Sequence, residues 1–269
     1  CRTTLLLMLA SWLGGCDAAS PPPPPPNPST FTSTASLKTA PQAYIVSPGV
    51  STIQDAHDLA SPGSELILAD GIYLSSTSGT EVLRISKSIK VRALNPGQAV
   101  LHAQASAGNP ACRRGSTCRR VIHILGGVVS LEGLNITGGM RDGHPYGGAG
   151  LAIVGGATVT VNKCNIYDNH VHNSGGLRIN DRGGGVLITG RSTVSIAHSH
   201  IFGNTAENHG GVYVISGNAV LDSCLVYDSV GGNVHAGCEY WNSRNLCTGL
   251  EDGDDASVCC KGLALTNVQ

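Results

Sequence analysis

Apolar and polar residues alternate in several short runs of this chain, and in each run the alternation then skips one residue. In one run Val159 and Val161 are followed by Cys164 and Ile166. Alternation is typical of a β-strand with one buried face. The longer step after Val161 indicates a bend, after which the next strand again points its apolar residues inward.

The same pattern recurs along the chain. Residues 159–176 align with residues 194–211, which places Asn169 on Asn204 and Gly175-Gly176 on Gly210-Gly211. Shorter copies lie at 129–136 and 219–226. The equivalent apolar residues of the four copies, separated by 30, 35 and 25 positions, are Ile136, Ile166, Ile201 and Val226. Short strands, repeated bends and no intervening helix predict an all-β parallel solenoid, in which equivalent residues form columns.

One of the copies carries a recognisable motif, Ile201-x-x-Asn204-x-Ala206-x-x-x-Gly210-Gly211-x-Tyr213. It resembles the repeat of chlamydial polymorphic outer-membrane proteins, and residues 44–237 resemble the wider pectin-lyase-like group. The resemblance implies a right-handed single-stranded parallel β-helix. It implies little about activity, because the same solenoid carries lyases, hydrolases and adhesins.

The N-terminal region has the features of an exported protein. Residues 1–16 match a secretory signal, and Leu13-Gly14-Gly15-Cys16 resembles a lipobox in which Cys16 is acylated. The alternative is an ordinary signal peptide that ends near a cysteine. Residues 17–43 are rich in Pro, Ser and Thr and are predicted to be a disordered linker. We expect an extracellular or cell-surface monomer whose membrane attachment is limited to that lipid.

A short amphipathic helix is predicted over residues 51–60, with Thr52 and Asp55 in capping-box positions. This helix would cover the N-terminal end of the solenoid, where an open end exposes the core and an unpaired strand edge. His57 lies on it, and we interpret it as a packed or exposed helix residue rather than a ligand.

Composition narrows the partners. The chain has 269 residues, 4% aromatics and a net charge of −1, which argues against a nucleic-acid partner. One short segment is nonetheless basic. Its four arginines are candidates for binding a polyanion, although a solvated loop is the interpretation that such charge runs favour: Arg113, Arg114, Arg119 and Arg120.

The ten cysteines fall into groups with different predictions. Cys112 and Cys118 are expected to close a small disulfide loop. Residues 238–269 are expected to form a C-terminal cap or tail with two disulfides in one of three connectivities, among Cys238, Cys247, Cys259 and Cys260. Cys164 and Cys224 fall one rung apart in one column, about 9–10 Å from each other. Because this exceeds the disulfide limit of about 7 Å, both are predicted to be buried free thiols.

Metal-binding patterns are weak. The pairs His170-x-His172 and His198-x-His200 have the spacing of a zinc-binding pair on a strand, but no carboxylate is fixed beside them. The sequence prediction is therefore that the protein has no metal site. Calcium is expected only if the protein is an enzyme.

The repeat offers few catalytic groups. Two polar columns, Asp168/Gly203/Asp228 and Glu132/Asn162/Ala197/Asp222, place no carboxylates on adjacent rungs. An inserted segment, residues 175–185, is where a cleft would form, and the cleft candidates are Asp168, Arg178, Asp181 and Arg182. Two hypotheses follow. The first is an exported non-catalytic protein with an adhesive or glycan-binding surface. The second is a polysaccharide lyase or glycoside hydrolase that acts on an acidic polysaccharide.

Overall fold

The computed structural model describes residues 40–75, 80–103, 118–142, 147–172, 182–207, 209–232, 234–236 and 259–261. These all belong to the second of two units into which the chain divides, residues 1–38 and 39–269. None of the helices in these ranges is long and apolar enough to cross a membrane.

The described chain consists of short strands and a single helix. Its elements in order are β1 (Ala43–Val46), β2 (Gly49–Val50), α1 (Thr52–Leu59), β3 (Glu65–Leu68), β4 (Gly71–Leu74), β5 (Glu81–Ile85), β6 (Ile89–Ala93), β7 (Ala99–His102), β8 (Arg120–Ile124), β9 (Val128–Glu132), β10 (Leu134–Thr137), β11 (Met140–Asp142), β12 (Leu151–Ile153), β13 (Thr158–Asn162), β14 (Asn165–Tyr167), β15 (His170–His172), β16 (Val186–Ile188), β17 (Ser192–Ala197), β18 (His200–Phe202), β19 (Val212–Val214), β20 (Gly217–Asp222), β21 (Leu225–Tyr227), β22 (Val234–Ala236) and β23 (Cys259–Lys261).

Every strand ladder is parallel, and the strands stack into four sheets that run along the molecule. We name them sheet A (β1-β3-β6-β9-β13-β17-β20-β23), sheet B (β2-β4-β7-β10-β14-β18-β21), sheet C (β22-β19-β16-β12-β8-β5) and sheet D (β11-β15). Successive coils pass from A to B, then through D or a loop to C, and back to A. The protein is therefore an all-β parallel β-helix, which confirms the predicted fold class.

The observed register matches the predicted columns. Ile136 pairs with Ile166, Ile166 with Ile201, and Ile201 with Val226. These four side chains are at most 1% exposed. Burying an aliphatic side chain of this size contributes about 1.5–3 kcal/mol, so the inward columns of sheets A, B and C supply the core.

The alignment of the glycine pairs was wrong. Gly210-Gly211 lie beside Gly184-Gly185 and not beside residues 175–176, because Gly185 N donates to Gly210 O and Val186 N donates to Gly211 O. Residues 175–176 fall outside the described ranges. The insertion precedes the glycine pair, so the pair nearest to the strand is the one that keeps the register.

A column of buried amides runs beside the core. Asn169 and Asn204, both fully buried, lie one above the other at the turn after sheet B. Asn169 Nδ2 donates to Asn204 Oδ1 at 3.0 Å, and Asn169 Oδ1 accepts from Gly139 N at 2.9 Å. Asn204 Nδ2 donates to Ile166 O at 2.9 Å. The column therefore satisfies the backbone groups that the bend would otherwise leave unpaired in the interior.

Helix α1 lies over the first coils, as predicted, but its start differs from the predicted capping box. The N-cap is Ser51, which has a left-handed backbone (φ 60°) and no side-chain cap hydrogen bond. Thr52 Oγ1 donates instead to Ser47 O at 2.9 Å. Ile53 and His57 are the buried residues of the helix.

The two thiols of the repeat column are buried. Cys164 and Cys224 are free cysteines, which agrees with the prediction from their spacing. Burial raises the pKa of Cys164 to about 12, so the thiol stays protonated and packs as a small apolar side chain. The predicted disulfides stay predictions, because Cys112, Cys238 and Cys247 lie outside the described residues.

Candidate functional site

A layer of backbone covers the outer face of sheet C. It consists of three segments from successive coils: residues 147–150, residues 182–185 and residues 209–211. Gly148 N donates to Gly183 O at 2.9 Å, and Gly183 N donates to His209 O at 2.9 Å. Glycine is required here, since a Cβ on Gly148 would lie 2.8 Å from the Cβ of Leu187 in sheet C. The layer thus positions Arg182 and His209 on the outside of sheet C.

Arg182 and His209 meet around the ring of Tyr213. Tyr213 lies in β19 between Val212 and Val214, and its alternation with these core residues points it away from the core. The Arg182 guanidinium carbon lies 4.9 Å from the centre of the Tyr213 ring, and Arg182 Nη1 donates to the Tyr213 hydroxyl. The His209 ring stacks on the same ring at a centre-to-centre distance of 5.2 Å, 3° from parallel. We call these three residues the Arg182 cluster.

The charge of Arg182 has no acidic partner among the residues that the structure describes. Nε of Arg182 is buried and makes no hydrogen bond. A buried donor without an acceptor costs about 1–3 kcal/mol. The contact between Arg182 and the Tyr213 ring offsets part of that cost, because a cation over an aromatic ring contributes about 0.5–2 kcal/mol. Within the described chain the cation of Arg182 is therefore only partly compensated.

Arginines also occur on the two preceding coils. Arg119 precedes β8, Arg120 is its first residue, and Arg141 lies in β11, one coil later. With Arg182 on the next coil, three successive coils carry arginine, and neighbouring coils are about 4.7–4.9 Å apart. Arg119 and Arg141 are half-buried, and Nε of Arg141 is itself a buried atom.

Arg120 corrects one prediction from the sequence. It is 7% exposed, and its guanidinium donates to the carbonyl oxygens of Gly147 and Gly148, from Nη2 at 3.1 Å and from Nε at 3.2 Å. Burial lowers the pKa of Arg120 to about 10, with Arg141 adding to the effect. Arg120 therefore holds the covering layer and is not an exposed ligand for a polyanion. Arg113 and Arg114 lie outside the described residues.

A second polar pair lies at the start of sheet C. His123 Nδ1 lies 3.1 Å from Glu81 Oε1, and both side chains are largely buried. Burial alone would raise the pKa of Glu81, but the hydrogen bonds from His123 and Thr80 outweigh it and lower that pKa to about 2. The carboxylate is thus ionised and committed to His123.

The structure does not bring the four predicted cleft residues together. Asp168 lies at the bend between β14 and β15 with φ 51°, whereas Arg182 lies beyond sheet D, where the chain enters sheet C. Arg178 and Asp181 lie outside the described residues. Tyr213 and His209 were not predicted as site residues, although Tyr213 closes the repeat motif. Its outward position follows from the alternation with Val212 and Val214.

The predicted polar columns form as expected without adjacent carboxylates. Glu132, Asn162, Ala197 and Asp222 are paired along sheet A. Asp168, Gly203 and Asp228 occupy equivalent bends, all with positive φ. Within the described ranges, no three His, Cys, Asp or Glu side chains are grouped closely enough to hold a metal ion.

Comparisons with known proteins give a structural similarity but no family. No protein-family model matches the chain, and no curated protein matches it. Among solved structures, the alginate lyase from Paenibacillus sp. str. FPU-7 is similar, with 21% sequence identity and a TM-score of 0.42. The match covers 73% of this chain and 58% of the lyase chain. The class of the protein, a parallel β-helix, follows from the strand ladders described above.

Proposed function

We propose that this protein binds an acidic polysaccharide at the Arg182 cluster and acts as a non-catalytic glycan-binding or adhesive protein. The observation that carries the proposal is the cation of Arg182, which lacks a carboxylate partner in the described chain and has a buried, unbonded Nε.

A uronate is the ligand chemistry that fits these groups. A guanidinium binds a carboxylate through two parallel hydrogen bonds, and the bond that Arg182 makes to the Tyr213 hydroxyl uses Nη1. His209, which is half-buried and stacks on the same Tyr213 ring as Arg182, is suited to a sugar hydroxyl. Arg119, half-buried two coils earlier, would interact with a further carboxylate of the same polymer, since the coils repeat at a regular spacing.

Binding of defined polymers to Arg182 variants tests the proposal. Polygalacturonate and alginate are titrated into the full chain, with neutral dextran as the comparison. We expect Arg182→Gln to weaken uronate binding at least ten-fold, because the substitution removes the cation that would pair with the uronate carboxylate. Arg191→Gln is the matched control, since Arg191 is exposed on a bend at the other end of β16. Equal affinities of wild type and Arg182→Gln would rule the site out.

Catalysis is the second candidate. The Arg182 cluster places a cation beside a phenol and an imidazole, and these are groups that can neutralise a carboxylate and transfer a proton. Incubation with uronates, followed by absorbance of unsaturated products and by reducing ends, detects lyase or hydrolase activity. Turnover that disappears in Tyr213→Phe or in Asp181→Ala, with binding retained, would replace the non-catalytic proposal by an enzymatic one. Calcium dependence is expected in that case alone.

We also propose export to the cell surface or the medium, with Cys16 as a lipid attachment site. Incorporation of labelled palmitate in a bacterial host tests the attachment. We expect the label in wild type and its loss in Cys16→Ser. Secretion of both forms into the medium without label would support a plain signal peptide instead.

A further inference from the structure

Two histidines of sheet D form a pair on the outside of the solenoid. His170 and His172 flank Val171 in β15, and Val171 is 2% exposed. Because successive residues of a strand point to opposite faces, both imidazoles lie on the outer face. Their ring centres are 5.9 Å apart and the rings are 28° from parallel. Both side chains are half-buried, so the pair is accessible from solvent.

This separation is compatible with one shared metal ion. An imidazole nitrogen lies about 2.0–2.1 Å from a bound metal. The ring centre is then about 3 Å from the ion, and two rings that share an ion have centres at most about 6 Å apart. The observed 5.9 Å lies within this limit. The terminal torsion of histidine is broad, so rotation of the rings can direct one nitrogen of each toward a common point.

The register neighbours of the two histidines are apolar, polar or acidic residues. Register pairs Met140 with His170 and Asp142 with His172, and the bridge from His170 to Thr205 places Glu207 one rung after His172. None of these neighbours in the two histidine columns is a lysine or an arginine.

We propose that His170 and His172 bind one divalent transition-metal ion on the outer face of sheet D, with water completing the coordination. Imidazole ligands favour Cu²⁺ most, followed by Ni²⁺ and Zn²⁺. Mg²⁺ and Ca²⁺ require oxygen ligands and are expected not to bind here. This site is independent of the Arg182 cluster and of the proposed glycan binding.

The second histidine pair of the chain is a matched control. His198 and His200 have the same spacing, but His198 lies at a bend with φ 47°, and only His200 belongs to a strand. The alternation rule applies within a strand, so this pair is not held side by side. Sequence spacing alone does not distinguish the two pairs, whereas the backbone does.

Metal titration of the full chain without an affinity tag tests the proposal, after reactive thiols have been alkylated and metals removed by dialysis. We expect one Ni²⁺ per chain by calorimetry, nitrogen couplings from two imidazoles in the Cu²⁺ electron paramagnetic resonance spectrum, and no heat with Mg²⁺. His170→Gln and His172→Gln should each weaken Ni²⁺ binding at least ten-fold, and the double variant His198→Gln/His200→Gln should not change it.

Thermal unfolding provides a second readout, because a ligand that binds only the folded state raises Tm. Ni²⁺ should raise the Tm of wild type and of the His198→Gln/His200→Gln variant, but not the Tm of His172→Gln. Circular dichroism of the metal-free variants checks that each remains folded. Unchanged Ni²⁺ affinity in the double variant His170→Gln/His172→Gln would overturn the site, as would an equal loss in the control variant.

Discussion

The column of Asn169 and Asn204 and the Arg182 cluster are both stacks of polar side chains from neighbouring coils, yet their hydrogen bonding differs. In the asparagine column each amide bonds to its neighbour and to the backbone of the bend. In the Arg182 cluster the Tyr213 ring contacts both Arg182 and His209, but Nε of Arg182 has no acceptor in the described chain. The first stack satisfies its buried polar groups, whereas the second leaves one of them unpaired.

This difference separates a structural column from a candidate binding site in a repetitive fold. A solenoid repeats its residues by construction, so repetition alone does not indicate function. Polar groups that the fold satisfies internally contribute to stability. Polar groups that it buries and leaves unpaired cost stability, and such groups occur at functional sites. The comparison predicts large losses of stability from the asparagine column and small ones from the Arg182 cluster.

The largest expected effect is that of Asn169→Ala. The substitution leaves the amide of Gly139 and the carbonyls of Ile136 and Tyr167 without their partner and opens a small cavity. We expect the free energy of unfolding to fall by about 3–5 kcal/mol, since each buried unpaired group costs about 1–3 kcal/mol. Urea denaturation measures it.

Asn165→Ala is the control for this prediction. Asn165 stands four residues earlier on the outer face of sheet B, where its Nδ2 donates to Asn135 Oδ1 at 2.8 Å. Its loss should cost no more than about 1 kcal/mol, because water can replace the bond. Similar losses at the two positions would contradict the distinction between the inner and the outer amide stacks.

Gly210→Ala should have the next largest effect. A Cβ at Gly210 would lie 2.2 Å from Val230 O and 2.6 Å from Asn204 O, both backbone atoms that cannot move without disturbing the ladder. We expect a loss of about 2–4 kcal/mol, the range of disruptive packing substitutions, together with weaker binding at the adjoining Arg182 cluster. Gly97→Ala, at φ +77° with no atom within 4 Å of the added Cβ, should cost about 1–2 kcal/mol from the backbone alone.

The repeat register could be predicted from sequence because it depends on local alternation. The column of Ile136, Ile166, Ile201 and Val226 follows from inward positions that recur after each bend, whatever the loop length. The glycine pair of the covering layer could not be assigned in this way. Two Gly-Gly pairs flank the same insertion, and only the hydrogen bonds to Gly210 and Gly211 show which one is in register.

The candidate site was harder to predict than the fold. Arg182 was selected because it lies in an insertion, and that part of the reasoning needed no coordinates. Its contact with Tyr213 joins residues 31 positions apart, across two coils whose loop lengths differ. The burial of Arg120 was missed for a related reason: its acceptors are the carbonyls of Gly147 and Gly148, which no sequence pattern marks.

At the N-terminal end of the solenoid, His57 is expected to make the free energy of unfolding depend on pH. Its Nδ1 lies 2.9 Å from Asp58 Oδ1, while its Nε2 is buried without a partner, so this side chain is only half satisfied. Burial lowers the pKa of His57, Lys87 contributes in the same direction, and Asp58 opposes them. A folded-state pKa below the unfolded one means that the unfolded chain takes up the proton first. The contribution of neutral His57 to the free energy of unfolding is therefore fully present above about pH 6.5. This contribution is lost as the pH falls below that value.

The slope of this loss is bounded by one proton, about 1.4 kcal/mol per pH unit at most. Urea denaturation of wild type and of His57→Gln is measured between about pH 7.5 and about pH 5, a range that spans the ordinary histidine pKa. The difference between the two proteins gives the contribution of His57 to the pH dependence. We expect a shallower pH dependence in the variant. Identical slopes would show that protonation of His57 does not weaken the packing of α1 against the first coils.

The smallest expected change is in the stability of Arg182→Met. Methionine keeps the aliphatic length that covers Tyr213 and removes the buried donor that has no acceptor. The cation–ring contact and the hydrogen bond to the Tyr213 hydroxyl are lost. These opposing contributions, each of about 1–2 kcal/mol, should leave the free energy of unfolding within about 1 kcal/mol of wild type. If the variant instead loses as much stability as Asn169→Ala, the Arg182 cluster is a structural stack. Unchanged stability together with lost uronate binding would show that Arg182 contributes to ligand binding rather than to folding.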